Sequence, residues 1–475
     1  MNLFQKIAKN SGAMLGADWL NKAAMFFLIV YAARFLGTQK FGMFSFVMAF
    51  VELFAVFYDL GLGMLIIREV AGDKSKTAAY LTNSLFIKLL SSLVLFLIIF
   101  SISRVTGNAK EVQRLLVIYV LAQTLSSFSA VFASLFTAWE RMELVALANS
   151  VRSILLLGLG IAVLHLGYGL EGLFKIFLGV NGIQLLYWLL LTSRNRIFRP
   201  QWSPQFSSWR DILQKAWPFA FLVLFIQIYF RIDITMLQYM KGAVDVGIYN
   251  AAYKLFTLGL SLPWVVNQAL FPTLSSLDSS APERLRETYS VVIKYSIIVS
   301  LPLSVGGFLF APKIISLFFG GEYSKAASVL KILFLLLLPC SVASFTNCIL
   351  TVKNPKITMA IAGGVMTPLN IVLNLLLIPK FSYYGAAAAT LVTEIIGAVL
   401  SLYYNFRLVS GLKLNPEQLL TKPVLAALAM GILIYLINSL VMIPVCVLVY
   451  FSILIVLNGI SREERRYLLK SLGLI

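Results

Sequence analysis

Apolar residues in this chain come in blocks of about twenty, laid end to end with short polar breaks, and that spacing constrains the fold more than any motif does. A helix rises 1.5 Å per residue, so about twenty residues cross the roughly 30 Å hydrocarbon core of a bilayer. Composition points the same way. Of the 475 residues, 60% are hydrophobic and 12% charged, against about 45–50% and 25% in a soluble domain. The sequence reads as an all-α polytopic membrane protein.

A window scan places about fourteen spans, at 13–34, 41–67, 80–102, 115–138, 147–166, 172–192, 216–240, 246–272, 291–311, 329–350, 358–379, 384–404, 421–438 and 441–458. Lys6 and Lys9 precede the first block, but no small-residue cleavage site follows it, so it reads as a span and not a removable signal. With the N-terminus inside, cytoplasmic segments collect roughly 24 Lys and Arg against about 11 on the opposite side. Both termini are therefore expected in the cytoplasm, the C-terminal one anchored by Arg462, Arg465, Arg466 and Lys470. The net charge of +19 is spread through these short loops, which fits topology and anionic lipid headgroups and not nucleic acid. Cys340, Cys348 and Cys446 all fall in apolar blocks without metal spacing and read as small core residues.

The chain divides by repeat. A basic connector from Ser193 to Lys215, carrying Pro200, Trp202, Pro204 and Trp209, follows the sixth span. Six spans follow it, and two are left over. FGMFSF (Phe41 to Phe46) opens the second span and VGIYNA (Val246 to Ala251) opens the eighth, the same place in each half. The expected organisation is an N-lobe over 1–205, a C-lobe over 206–408, pseudo-symmetric about a central cavity, and two further helices with a basic tail over 409–475. Those last two spans read as partner docking or lipid-facing shielding, so their removal is expected to leave folding intact. All fifteen prolines lie at or after Pro200, and Pro218, Pro263, Pro302, Pro339 and Pro368 fall inside spans. If one half bends during a cycle, it is therefore expected to be the second, the alternative being compositional drift with statically kinked helices. The spans 41–67 and 246–272 are long enough to tilt or bend.

Among the ionisable residues within the spans, nine are the most informative: Asp18, Lys22, Glu52, Asp59, Lys88, Arg231, Asp233, Lys254 and Glu394. Each costs on the order of 2.5–3.5 kcal/mol at a helix centre, so each needs a partner or a water-filled cavity. Asp18 and Lys22 are one turn apart and read either as a self-satisfied pair or as a cavity lining. Lys88 shares a polar stripe with Ser84, Ser91 and Ser92, and the fourth span carries its own stripe of Gln123, Ser127 and Ser134. Arg231 and Asp233 cannot share a face, and Arg231 is favoured for the cavity. Lys254 lies on one face with Thr257 and Ser261. Glu52 and Asp59, seven apart, share a stripe, and Glu394 lies with Thr390, Gly397 and Ser401. Carboxylates in such places serve either H+ or Na+ coupling or ion pairing with the cations. Asn370 and Asn374, beside Pro368, either line a cavity or tie helices together. Four cations from both halves, Lys22, Lys88, Arg231 and Lys254, suit a large anion such as a pyrophosphate headgroup.

Other chemistry is excluded by what the sequence lacks. There is no GxxxxGK[ST] loop, the single histidine, His165, forms no zinc motif, and no Ser–His–Asp set occurs. Neither catalytic residues, resident metal nor cofactor is expected, beyond a coupling ion.

The stretches RFLGTQKFGMFSF (Arg34 to Phe46), DLGLGMLIIREVA (Asp59 to Ala71), RIDITML (Arg231 to Leu237), GIYNAAYKL (Gly247 to Leu255), LFPTLS (Leu270 to Ser275) and LNIVLNLLLIPKFSYYGAAAATLVTE (Leu369 to Glu394) resemble polysaccharide-biosynthesis, O-antigen (Wzx-type) flippases of the multidrug/oligosaccharidyl-lipid/polysaccharide exporter superfamily. The resemblance implies two six-helix lobes around a cavity, and transfer of undecaprenyl-pyrophosphate-linked oligosaccharides between leaflets by ion- or potential-driven alternating access. It implies as partners the lipid-linked oligosaccharide, membrane lipids, and a polysaccharide polymerase and glycosyltransferases, and as location the plasma (inner) membrane. Two alternatives in the same fold stay open at this point: a cation-coupled exporter of drugs or small molecules, and a peptidoglycan-precursor (lipid II) flippase. A non-transporting scaffold for glycosyltransferases has no need of nine intramembrane charges.

Overall fold

The structure is a computed structural model that describes residues 3–195, 206–280, 282–408, 417–460 and Glu464. Parts of the expected basic connector (196–205) and the C-terminal cluster Arg462, Arg465, Arg466 and Lys470 lie outside the described residues, as do the side chains of LFPTLS. Among the described residues every regular element is helical. In order these are α1 (Leu3–Leu53), α2 (Ala55–Asp59), α3 (Leu62–Gly72), α4 (Thr77–Val105), α5 (Lys110–Ala138), α6 (Met142–His165), α7 (Gly169–Asn195), α8 (Phe206–Lys241), α9 (Ala243–Ser280), α10 (Pro282–Phe319), α11 (Ala326–Leu335), α12 (Leu337–Lys353), α13 (Pro355–Met359), α14 (Thr367–Phe381), α15 (Tyr383–Leu408), α16 (Lys422–Ile437) and α17 (Ile443–Val456), with a π-helical turn at Ala360–Met366 between α13 and α14.

Ten of these helices are long and apolar enough to cross a membrane, and eleven when α11 and α12, bent by 40° at their junction, are taken as one span. The chain is a multi-pass membrane protein. The expected count of fourteen differs for local reasons. The first two expected spans share one helical run, α1, broken only where Gly37 takes φ 73° and ψ 173°, a conformation open to glycine and few others. The expected eighth span runs into residues 262–287, whose side chains lie outside the described set. The last, α17, has 14 residues, about 21 Å of helix, short of the hydrocarbon thickness.

The chain forms two compact units, residues 1–247 and 248–475. This is a partition by compactness, whereas the division at 205/206 is one by internal repeat. Helix α8 packs along α1, α2 and α3 and so belongs to the first unit. That unit's core stacks Leu62, Leu65 and Ile66 of α3 against Phe132, Leu135 and Phe136 of α5, Trp188 of α7 and Ala216 of α8. Outward, the logic of a soluble protein is inverted: Leu89, Leu93 and Leu97 of α4 are all more than half exposed, as a lipid-facing surface requires.

In the second unit α10 shares one core with α16 and α17: Ile298 and Phe310 pack with Ala426, Met430, Tyr450 and Leu454. The Tyr450 hydroxyl donates to the Ile298 carbonyl at 2.9 Å. The last two helices thus cover a face of α10, and their removal would expose it.

Broken spans occur in both units. In the second, Pro339 has no N–H for the Leu335 carbonyl, and its ring crowds that oxygen, which places the bend at Leu336 between α11 and α12. Pro368, near the start of α14, follows the π turn. The first unit breaks without any proline: Phe54 leaves helical geometry (φ −97°, ψ 14°), and Leu60 and Gly61 are left-handed, cutting out the five-residue α2. Static breaks thus occur in both units, that of the first lying within the expected span 41–67, which is long enough to bend.

Candidate functional site

The isolated turn α2 organises the first unit's interior. Breaking a span frees backbone carbonyls that a bilayer cannot solvate, so protein groups must take them. The Ser127 hydroxyl of α5 donates to the Tyr58 carbonyl at 2.7 Å. In return the Tyr58 hydroxyl donates to the Val120 carbonyl at 3.3 Å. Lys88 of α4 closes the arrangement. Its ammonium donates to Asp59 Oδ1 at 3.2 Å and to the Ser127 carbonyl at 3.3 Å, and the side chain is 1% exposed while that of Asp59 is 36% exposed.

Val51, Glu52, Ala55, Tyr58, Asp59, Lys88, Gln123, Ser126, Ser127 and Ala130 line a cavity of about 170 Å³ at this break. Glu52 and Asp59 do face one space, although the helix between them is interrupted. Each carboxylate holds a cation: Asp59 holds Lys88, and Glu52 meets Arg231 of α8 at 2.6 Å. Glu52 also accepts from the Tyr119 hydroxyl at 3.4 Å, which itself accepts from Gln123 Nε2 at 2.7 Å. Ser84 and Ser92, on the Lys88 stripe, are buried with no hydrogen-bond partner for their hydroxyls among the described residues. Ser91 donates back to the Lys88 carbonyl.

The remaining expected residues are placed elsewhere. Asp18 and Lys22 form the expected one-turn pair at 2.7 Å, about half exposed, with the Lys22 ammonium 5.8 Å from the centre of the Trp19 ring. They do not line the cavity. Asp233 is buried, two residues from Arg231. Lys254, Asn370, Asn374 and Glu394 belong to the second unit. There Asn374 Nδ2 donates to Asn370 Oδ1 at 2.9 Å with both side chains buried, so the two tie one helix face together. Glu394 faces the Cys340 thiol. Lys254 is half-buried, its carbonyl accepting from Thr257 at 3.0 Å.

Sequence reasoning missed Arg152, Asn181 and Lys294. Arg152 of α6 donates from Nε to Asn181 Oδ1 at 2.8 Å, and Asn181 of α7 passes its own Nδ2 to the Ala122 carbonyl at 2.8 Å. An arginine five residues into the expected fifth span is visible in the sequence, and the cost that marked the other nine applies to it equally. Lys294 of α10 holds Glu464 at 2.8 Å.

These features define a polytopic helical membrane protein whose interior carries paired charges at a broken span. Its fold is that of the lipid II flippase MurJ in an inward closed conformation, with a TM-score of 0.78 at 17% identity over 93% of this chain and 97% of that one. The model of the family described as polysaccharide biosynthesis protein matches residues 7–278, more than half of the chain, and the chain belongs to that family. The MatE family model matches residues 218–376. Curated relatives include the probable flippase AglR of Haloferax volcanii, 24% identical over 83% of both chains, and the probable low-salt glycan biosynthesis flippase Agl15 of the same organism, 24% identical over 85% of this chain and 84% of its own length.

Proposed function

We propose that this protein is a flippase that carries a lipid-linked oligosaccharide, with an undecaprenyl-pyrophosphate anchor, from the cytoplasmic to the outer leaflet of the plasma membrane for polysaccharide assembly. Both termini then lie in the cytoplasm, and an H+ or Na+ gradient or the membrane potential drives alternating access. The observation that carries the reading is Lys88: a fully buried ammonium beside a cavity at a broken span. Discontinuous helices near the midplane are where carriers place their substrate sites. An anionic headgroup competes with Asp59 for Lys88 and with Glu52 for Arg231, so loading exchanges one ion pair for another and leaves no charge stranded. The carboxylates so released are the groups available to a coupling ion. The names of the glycan flippases among its relatives support the same substrate class. A polysaccharide polymerase and glycosyltransferases are the partners this role calls for.

The test is transport in proteoliposomes of a fluorescent prenyl-pyrophosphate oligosaccharide by the wild type, Lys88→Gln and Arg231→Gln. Flipping by the wild type that falls at least about tenfold in both variants is expected, since each removes an interaction on the order of 1.4 kcal/mol or more. Flipping that survives both changes would remove these cations from the mechanism. Export of organic cations with no lipid flipping would overturn the function itself.

A further inference from the structure

A second hollow, of about 710 Å³, opens on the first unit where α4 ends and α5 begins. Arg104, Lys110 and Arg114 line it together with Phe100, Asn108 and Glu171. The turn that shapes it is tied down. Asn108 Nδ2 donates to Thr106 Oγ1 at 2.9 Å and to the Tyr239 hydroxyl at 3.2 Å, and Gln113 Nε2 donates to the Asn108 carbonyl at 2.9 Å. The carboxylate on the rim, Glu171, pairs with Lys175 at 2.7 Å and acts on Arg114 only as a weaker, longer-range charge. None of the three cations has an ion pair among the described residues. Arg104 lies over the Phe100 ring at 4.8 Å, which keeps its guanidinium at the hollow.

Two physical costs mark this arrangement. Lys110 and Arg114 are like charges one turn apart at the N-terminal end of α5, where repulsion and the helix dipole oppose them and Glu111 of the same turn offsets this only in part. The hollow also sits at the end of the spans remote from Lys74, Lys76 and Arg141, the face that the positive-inside bias leaves poor in cations. A bound anion relieves both. At the same end of the spans, the turns after α4 and α6 expose Val105, Leu166 and Tyr168, the mixture of aromatic, aliphatic and basic groups that marks a membrane–water boundary.

We propose that this hollow binds the phosphate of a lipid headgroup in the outer leaflet, through Arg104, Lys110 and Arg114. The outer-leaflet placement rests on the topology proposed above; the binding chemistry does not. Two lipids share that chemistry: an acidic phospholipid of the surrounding leaflet, and a prenyl pyrophosphate arriving after translocation.

The test is native mass spectrometry and lipid titration of the full chain in nanodiscs of three compositions: phosphatidylcholine alone, with phosphatidylglycerol, and with a prenyl pyrophosphate. Wild type is compared with Arg104→Gln/Lys110→Gln/Arg114→Gln and with a charge-matched control, Lys325→Gln/Lys356→Gln/Lys380→Gln. The side chains are exposed, and a thermal melt of the triple variant checks that it is folded. Retention of the bound lipid should fall at least about tenfold in the hollow variant and not in the control. Loss confined to phosphatidylglycerol identifies the surrounding phospholipid, and loss confined to prenyl pyrophosphate identifies the cargo. Equal loss in the control, or retention of both lipids by the hollow variant, overturns the site. If no variant binds prenyl pyrophosphate but the phosphatidylglycerol effect remains, the flippase reading fails and the hollow stands.

Discussion

Gly42 of α1 and Gly247 of α9 pack backbone to backbone, each occupying the space a side chain on the other would need. A Cβ built on Gly42 overlaps the Ala243 carbonyl oxygen and stands 3.0 Å from the Gly247 nitrogen. One built on Gly247 overlaps the Thr38 carbonyl oxygen and stands 3.3 Å from the Gly42 nitrogen. Each glycine thus meets the carbonyl four residues before the other, a reciprocity that has the form of a local two-fold axis. These are the glycines of FGMFSF and VGIYNA, so the short internal repeat marks a contact between its own two copies. The expected consequence is non-additivity. Gly42→Ala and Gly247→Ala should each destabilise by about 1–3 kcal/mol through overpacking, and the double variant should cost little more than the worse single, because one separation of the helices relieves both clashes. Chemical unfolding in detergent measures this, and additive costs would count against the shared contact.

The Lys88–Asp59 pair makes an asymmetric prediction. Asp59 is 36% exposed, so water can reach its carboxylate when Lys88 is removed, whereas Lys88, at 1%, has no such recourse when Asp59 is removed. Asp59→Asn should therefore cost about 3–5 kcal/mol, the penalty for an uncompensated buried charge, and Lys88→Met distinctly less. The same unfolding experiment ranks the two. The reverse order would mean that the ammonium is solvated through the adjoining cavity.

How much of this was legible follows from where each partner sits. The Asp18–Lys22 pair is an i, i+4 relation, and local spacing dictates it. That Glu52 and Asp59 face one space follows from their seven-residue separation, even though α2 interrupts the helix between them. Their cations were named from the sequence, but the matching of Lys88 to Asp59 and Arg231 to Glu52 was not, because α4 and α8 are brought to α1 and α2 by packing and no periodicity encodes that. The break at Phe54 to Gly61 had no proline to announce it. Its local signal is Gly61 of DLGLG, which takes the left-handed conformation between α2 and α3, while the bonds from Ser127 and Lys88 that satisfy the break are tertiary and no local propensity registers them.

At the loop following α3, the Ser75 hydroxyl donates to Asp73 Oδ1 at 2.6 Å and the Ser75 amide to the same oxygen at 3.0 Å. Those bonds, the hydroxyl foremost, hold the Asp73 carboxyl below its ordinary value. A group with a lowered folded-state pKa contributes above its unfolded value and loses that contribution as pH falls through the folded one. Hydrogen exchange at the Ser75 amide should therefore be protected from neutral pH down to the ordinary carboxylate range and lose that protection below it. Asp73→Ala should abolish both the protection and its pH dependence. Protection that ignores pH in the wild type would place the amide's partner elsewhere.

Asn181 carries a heavier structural role than its single amide implies, since it joins three helices: it accepts from Arg152 of α6 and donates to the Ala122 carbonyl of α5 while standing on α7, 1% exposed. Truncation strands the Arg152 guanidinium, whereas the Ala122 carbonyl, inside the unbroken helix α5, keeps its intrahelical bond and loses only a second one. An unsatisfied buried group costs about 1–3 kcal/mol, more when charged, so Asn181→Ala, which strands one charged group, should destabilise by about 2–4 kcal/mol. Asn181→Asp should cost less, because a carboxylate still accepts from Arg152, now as an ion pair, and only the Ala122 carbonyl loses its second donor. Arg152→Met/Asn181→Leu removes the charge as well and should recover part of the loss, as apolar replacements of buried polar pairs do. Denaturant midpoints for the three variants give the order directly. A cost for Asn181→Ala below about 0.5 kcal/mol, the level of an ordinary surface change, would mean that water already serves Arg152 and that the α5–α6–α7 junction stands without this bridge.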